Sequence, residues 1–397
     1  MKDFKRLLKI EFRRIFSNKV LLAIFFGAPV LYGFLLGYVY SQAKVINLPI
    51  IIVDEDHSPV SDRLIDAFED NEAIKVSDVR YTPGKIQSEM PLNEYIAVVN
   101  IPKGFEAAIL QKRHPEVRVD LNMVNILNAN TASKNIQAVL MTMNAGVEIE
   151  GLKKLGMPPA QALEAYESFS INFNKMYNAT GNYLTFMLPG LLAAIMQQVI
   201  FLALALVFAR DFEDGYFREL AGRHKWAFYH IVLKAVPFLI LIPFMWAVVS
   251  QFLPYFRIEA EIFSIPMLIL TTLLTLASMG IGMLFSIVFP NQLKATELLM
   301  VISTPAFILS GFTWPSLAMP PAITAFAEII PVTHFLNGFR KVAFYGGGIS
   351  SISHEIFMLL LIFTGSLFTM LVLLQLKIKK SRKNTFVTSE ENIPGEN

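Results

Sequence analysis

The chain contains no cysteine, and only 17% of its 397 residues are charged. The missing cysteine excludes disulfides, thiolate metal centres and cysteine nucleophiles, and it leaves the redox compartment undetermined. Lys and Arg number 34 against 32 Asp and Glu, a formal net charge of +2. So even a balance offers no electrostatic footprint for nucleic acid, and no such partner is expected. The six histidines are scattered, with no HExxH helix and no calcium loop, so no metal site is expected and no catalytic residue is assigned. Neither a Gly-x-Ser-x-Gly elbow nor a Gly-x-x-x-x-Gly-Lys-Ser/Thr phosphate loop occurs.

Apolar sequence, by contrast, is plentiful. A helix needs roughly 20 apolar residues to cross a bilayer. Val20–Tyr40 supplies them without a charge, and the next comparable run is Tyr183–Ala209. Six spans are expected, at 20–40, 183–209, 227–250, 262–289, 296–312 and 355–376. Thr304, Pro305 and Gly311 interrupt the fifth, which reads as bent or re-entrant; irregular backbone at that depth needs cover from protein or water. The expected fold is an α-helical polytopic membrane protein of six transmembrane helices, with an α/β domain over 41–182 between the first two. Ser41-Gln42-Ala43 loosely resembles a signal cleavage site, but the preceding apolar run exceeds the length of a signal core, so the segment reads as a retained span.

Basic residues set the orientation. Lys2, Lys5, Arg6, Lys9, Arg13, Arg14 and Lys19 precede the first span; Arg210, Arg218, Arg223 and Lys225 follow the second; Lys377, Lys379, Lys380, Arg382 and Lys383 follow the sixth. Short basic flanks stay cytoplasmic. Both termini are therefore expected in the cytoplasm, with the plasma (inner) membrane as the location and 41–182 outside. Arg340 and Lys341 are a small exception. In the first 19 residues, Phe4, Leu8, Phe12 and Ile15 share one helical face, and Lys2, Arg6, Lys9 and Arg13 another. That pattern suits an interfacial helix with its apolar face in the acyl boundary and its cations toward anionic headgroups of the lipid bilayer. Ordinary flanking charge is the plainer alternative.

In the external domain, Leu48–Val53 and Tyr95–Ile101 read as strands, and Val117, Val119, Leu121 and Met123 alternate with polar residues as in a third. Ser61 is placed as the cap of a helix running to about Asp70. Further helices are expected from about Ser133 to Leu155 and from Pro158 to about Tyr177. Asp54, Glu55 and Asp56 read as a solvated acidic turn rather than a metal or catalytic site. Within the spans, Gln197 and Gln198 are the candidates for a translocation path, with interhelical hydrogen bonding as the alternative. The bundle interior is otherwise expected to be nearly free of ionisable groups. Trp246 and Trp314 suit interfacial belts. The tail, 377–397, lacks apolar periodicity after Arg382, and from that residue on it is expected to be disordered.

The loop Ala209-Arg210-Asp211-Phe212-Glu213-Asp214-Gly215-Tyr216-Phe217-Arg218-Glu219-Leu220 follows a long apolar helix and sets charges of both signs around one glycine. Here the chain resembles the ABC-2 class of ABC-transporter membrane subunits. Arg210, Asp211, Glu213, Asp214, Gly215 and Phe217 fit that family's pattern after its second span, while Tyr216 replaces the usual threonine and Phe212 a usual basic residue. A second match runs from Ser310-Gly311-Phe312-Thr313-Trp314-Pro315 through Met319-Pro320, Ile323 and Pro331-Val332-Thr333-His334-Phe335 to Arg340 and Gly346-Gly347. It looks like the family's outer re-entrant segment, here 312–345, with Gly311, Pro315 and Pro331 at its breaks. Leu48-Pro49-Ile50 through Ser61, and Ile101-Pro102-Lys103-Gly104-Phe105, are similar to the subgroup with a large extracytoplasmic domain after span one.

The resemblance implies an ATP-driven exporter subunit with no cofactor of its own, ATP and Mg being bound by a separate ABC ATPase. It also implies a second permease copy or paralogue and, in a double-membrane bacterium, a periplasmic adaptor and outer-membrane channel. The loop 210–225 and the N-terminal helix would take the ATPase's push. A charge-poor bundle favours amphipathic, drug-like or lipid-like cargo. A membrane-anchored receptor or assembly factor with a ligand-binding external domain is the competing reading, but it calls for a cytoplasmic output domain that the short tail does not offer. A membrane enzyme would need convergent ionisable groups in the bundle.

Overall fold

In a computed structural model describing residues 2–82, 95–166 and 174–390, six helical segments are long and apolar enough to cross a membrane. They are Lys19–Val39, Tyr183–Glu213, Ala227–Tyr255, Ile265–Val288, Gln292–Leu309 and Ile349–Lys383. The chain divides into two units: 1–43 with 175–397, which holds every span, and 44–174, which is inserted between the first two.

Two boundaries differ from expectation and one break agrees with it, each for a local reason. The second helix does not stop at Ala209. Nothing breaks it before Gly215, whose left-handed backbone (φ 71°) ends the run, so Arg210, Asp211 and Glu213 sit on its last turns rather than in a loop. The last helix continues from Ser353 to Glu390, because no proline follows the apolar stretch until Pro394. The expected disorder of the tail is thus wrong as far as Glu390, and 391–397 lie outside the described residues. The fifth helix does break where Pro305 removes a backbone donor, between Gln292–Ser303 and Ala306–Leu309. Beyond it, Pro321–Ala327 and Pro331–Ala343 meet at 85°.

The bundle packs on the second helix, which lies against the first, fourth and fifth spans. Close approach needs small residues: a Cβ at Gly190 would stand 2.5 Å from the Phe312 ring. Where the second and fourth helices meet, the Ser286 hydroxyl accepts hydrogen bonds from the Phe208 and Ala209 N–H groups at 2.6 and 2.8 Å. Such contacts supply cohesion where the hydrophobic effect cannot, since lipid is as apolar as the helices.

The inserted unit is α/β. Strands β1 (Leu48–Asp54), β2 (Ile74–Arg80), β3 (Ala97–Ile101) and β4 (Arg118–Leu121) form one sheet in the order β2-β1-β3-β4. β1 is parallel to β2 and β3, and β4 is antiparallel to β3. Helices Pro59–Glu69 and Ile126–Lys154 cover one face through Leu64, Phe68, Ala132 and Ile136. Ser58, not Ser61, caps the first of these; the two serines form a reciprocal capping box with Ser61 at the third helical position. The helix expected from Pro158 runs over Pro159–Tyr166 and is absent at 174–177; 167–173 lie outside the described residues.

The acidic turn is not solvated as expected. Asp54 is fully buried and accepts from the Asp56 and His57 N–H groups and the Ser61 hydroxyl, fixing the strand-to-helix turn. Burial works to raise the Asp56 carboxyl, but hydrogen bonds from Ser58 and from the Glu106, Gly104 and Phe105 backbone outweigh it and hold that group below the ordinary carboxylate value.

Candidate functional site

The N-terminal helix, Lys2–Ser17, lays one face on the bundle. Leu7 packs with Leu220 and Leu233, and the Phe4 ring meets Tyr229 edge-on at 5.6 Å. Phe4, Leu8 and Ile15 are half-buried against protein, so the apolar stripe assigned to the acyl boundary is in good part covered by the chain itself. Arg6, Lys9 and Arg13 are exposed, and Arg6 pairs with Asp3 at 3.5 Å. Lys2 begins the helix, and its side chain is outside the described set.

Within that contact lies a buried ionic cluster. Lys234, inside the third span and 2% exposed, places Nζ 2.8 Å from Glu11 Oε1 and 2.5 Å from Asp211 Oδ2. The second contact is an ion pair whose angle does not make it a hydrogen bond. Asp211 Oδ1 pairs with Arg14 Nη1 at 2.5 Å, and Arg14 Nη2 with Asp214 Oδ2 at 2.9 Å. Arg210 Nε stands 3.4 Å from the same Asp214 oxygen. Three acids and three bases thus join the N-terminal helix, the end of the second span and the third span. Any one of these charges alone would be costly to bury; paired, they are tolerated. Burial disfavours the Arg14 charge, but Asp211, Glu11 and Asp214 more than compensate and hold it above its ordinary value.

The expectation of an interior nearly free of ionisable groups is therefore corrected at Lys234, Glu11 and Asp211, all buried. Lys234 was visible in the sequence as a lone charge in an apolar run, the signal that marks a membrane segment for scrutiny. Glu11 was hidden by its basic neighbours.

The residues assigned to coupling fall around this cluster. Gly215 ends the second span and opens the short helix Tyr216–Arg223, whose Phe217 and Leu220 are buried. The Phe217 ring contacts Phe212 at 4.6 Å, and Lys377 of the last helix lies 4.4 Å over Phe212. Arg14 stacks over Tyr216 at 4.6 Å. Arg218 and Glu219 are exposed. Glu213 is exposed, and its carboxylate accepts from the Gln292 backbone N–H at 2.9 Å and from the Gln292 side chain, at the start of the fifth span.

Midway along the second helix, Gln197 is fully buried, and its Oε1 accepts the Val332 N–H at 2.7 Å. Val332 is the second residue of the helix opened by Pro331, so Gln197 satisfies a helix-start donor that has no intrahelical acceptor. Gln198 is half-buried. Arg340 lies 4.0 Å over Phe312 and 5.6 Å over Phe186 and donates to the Phe312 carbonyl at 2.5 Å. Gly311 takes a left-handed backbone (φ 78°), and Pro315 opens a 3₁₀ turn, Ser316–Ala318. Trp246, assigned to an interfacial belt, instead donates from Nε1 to Thr275 at 3.0 Å inside the bundle. It lines a mainly apolar cavity of about 410 Å³ with Thr271, Thr272, Phe335 and Phe339. Neither Gln197 nor Gln198 lines that cavity.

Bundle, broken outer helices and charged helix end occur here in one order along the chain. The family described as ABC-2 family transporter protein matches residues 19–374, which takes in every span start, the bent outer pair and the Asp211, Asp214 and Lys234 part of the ionic cluster. The chain belongs to the ABC-2 family. Among curated proteins, the inner membrane transport permease YhhJ of Escherichia coli K12 is 23% identical over 384 residues, covering 91% of this chain and 94% of its own. The probable multidrug ABC transporter permease YbhR of the same strain is 23% identical over 340 residues, covering 84% and 88%. ABC transporter G family member 20 of Dictyostelium discoideum is 21% identical over 356 residues, 86% of this chain but 46% of its own. The ABC-2 chain is accordingly a membrane transport subunit, an integral membrane protein of several spans.

Proposed function

We propose that the chain is the permease subunit of an ATP-driven exporter, working as a dimer of two permeases on two separate ABC ATPases that bind ATP and Mg. The observation that carries this reading is the ionic cluster of Glu11, Arg14, Asp211, Asp214 and Lys234. It ties the N-terminal helix to the second and third spans, and its Arg14 also stacks over Tyr216 at the start of the short helix Tyr216–Arg223. A force on the exposed Arg218–Glu219 face would therefore reach the membrane instead of bending a loop. Basic residues gather at this end, which supports placing it, and both termini, in the cytoplasm. Coupling then requires that the ATPase bind the inward- and outward-accessible states with different affinity. The apolar cavity beside Trp246 and the relatives named as multidrug permeases both favour amphipathic, drug-like or lipid-like cargo. A periplasmic adaptor and outer-membrane channel fit the inserted α/β unit as further partners.

The test is co-purification of the full chain in mild detergent. The unaltered chain is expected to bring down an ATPase with a phosphate-binding loop in near-equal amount. Arg218→Glu, on an exposed side chain outside the ionic cluster, is expected to lose the ATPase with its melting temperature unchanged. A stable chain that never captures an ATPase would overturn the proposal.

A further inference from the structure

We propose that the bend between Pro321–Ala327 and Pro331–Ala343 is a site for a borderline divalent cation of the zinc class, formed by Glu328, His334 and His354. One donor atom from each of these side chains lies within 4.8 Å of the others. Glu328 follows the first helix of the bent pair, His334 is the fourth residue of the second, and His354 is in the first turn of the last span. No stretch of sequence contains the set; the 85° bend makes it.

The geometry is close to that of a bound ion. His334 is 2% exposed, and its Nε2 stands 3.6 Å from Glu328 Oε2 and 2.8 Å from the Glu328 carbonyl oxygen. The rings of His334 and His354 lie 6.3 Å apart at 71°. Zinc bonds of about 2.0–2.2 Å at tetrahedral angles put donor atoms roughly 3.3–3.6 Å apart. The partly exposed Glu328 and exposed His354 side chains can close the remaining gap by changing rotamer, with no shift of the packed His334.

Chemistry selects the ion. Two imidazoles and one carboxylate suit Zn²⁺, Ni²⁺ or Cu²⁺, whereas magnesium and calcium prefer oxygen-only shells. In the structure, Nε2 faces two Glu328 oxygens, the place that a proton holds and a cation would take over. Nearby Lys341 is neutralised by Glu355 at 2.7 Å, so it does not repel a cation from the site. The bound ion would join the two arms of the bend to the foot of the last span. Metal supply would then set how freely this end of the bundle moves, and this holds whether or not the export reading does.

The test uses the full chain, freed of any histidine tag, in detergent micelles at pH 7.5. Zinc chloride is titrated by calorimetry, and hydrogen exchange over 321–356 is followed with and without zinc. Expected are one zinc per chain, slower exchange over 321–356, and at least tenfold weaker binding in Glu328→Gln/His354→Ala. Both altered side chains are at least partly exposed, so the variant's zinc-free melting temperature is expected to match the parent's. Equal zinc affinity in the double variant would overturn the proposal, since the other four histidines would then be the ligands. So would the absence of saturable uptake by the unaltered chain.

Discussion

The two ends of the membrane unit solve one problem by opposite means. Where the second span meets the N-terminal helix, polarity is buried as charge, and Lys234 is held by two carboxylates. Where the bent pair returns, polarity is buried as backbone, and a neutral Gln197 meets the Val332 donor while Arg340 lies over rings and a carbonyl and, among the described residues, has no carboxylate partner. The first end is expected to be stiff because removing Lys234, Glu11 or Asp211 strands a buried ion. The second is held by single hydrogen bonds and packing, each worth less, which suits a segment able to change shape. In the exporter reading, the stiff end receives force and the yielding end opens.

Four variants sharpen that contrast. Lys234→Met leaves Glu11 and part of Asp211 without a counter-ion and is expected to cost about 3–5 kcal/mol in SDS-titration unfolding. Adding Glu11→Gln should recover a large share of the loss, because the stranded charge, more than the missing contact, is the penalty. If Lys234→Met alone is as stable as the parent, the cluster is not what stiffens this end. Gln197→Leu leaves the Val332 N–H without its acceptor, and about 1–3 kcal/mol is expected to go. Hydrogen exchange should rise over 331–343 and stay unchanged over 2–17. Equal rises at both ends would show that the two ends are not independent. The smallest effect belongs to the inserted unit. The folded-state value of Asp56 is lowered, so its ionised form stabilises the fold above the ordinary carboxylate value, and that stability is lost as pH falls through the lower folded value. Asp56→Asn should therefore flatten the acid limb of unfolding below about pH 4 while changing little at pH 7.

Much of the architecture could be read along the chain because hydrocarbon imposes a one-dimensional rule: roughly 20 apolar residues make a span. The inserted sheet was less legible. β2 was missed since its pairing with β1 shifts register between Ile50 and Ile51, so Ser77 is passed over and the apolar alternation of Ile74 and Val76 slips to Val79. Gln197 was noticed for its polarity, but its partner lies at Val332, far along the chain, and was beyond the reach of any pattern. The residues assigned to coupling were chosen by family pattern, which gave no sign of the partners Glu11, Arg14 and Lys234 or of the bond from Gln292 to Glu213.

The sequence by itself determined the spans, the insertion between the first two, the clustering of basic residues at their ends and the family, because apolar length, charge and motif order are properties of the chain alone. Only the tertiary structure decided which charges meet. It buried Lys234 between Glu11 and Asp211, and it folded scattered Glu328, His334 and His354 to within reach of one ion. Pairing energies depend on distances of a few ångströms between residues far apart in sequence, and packing sets those distances.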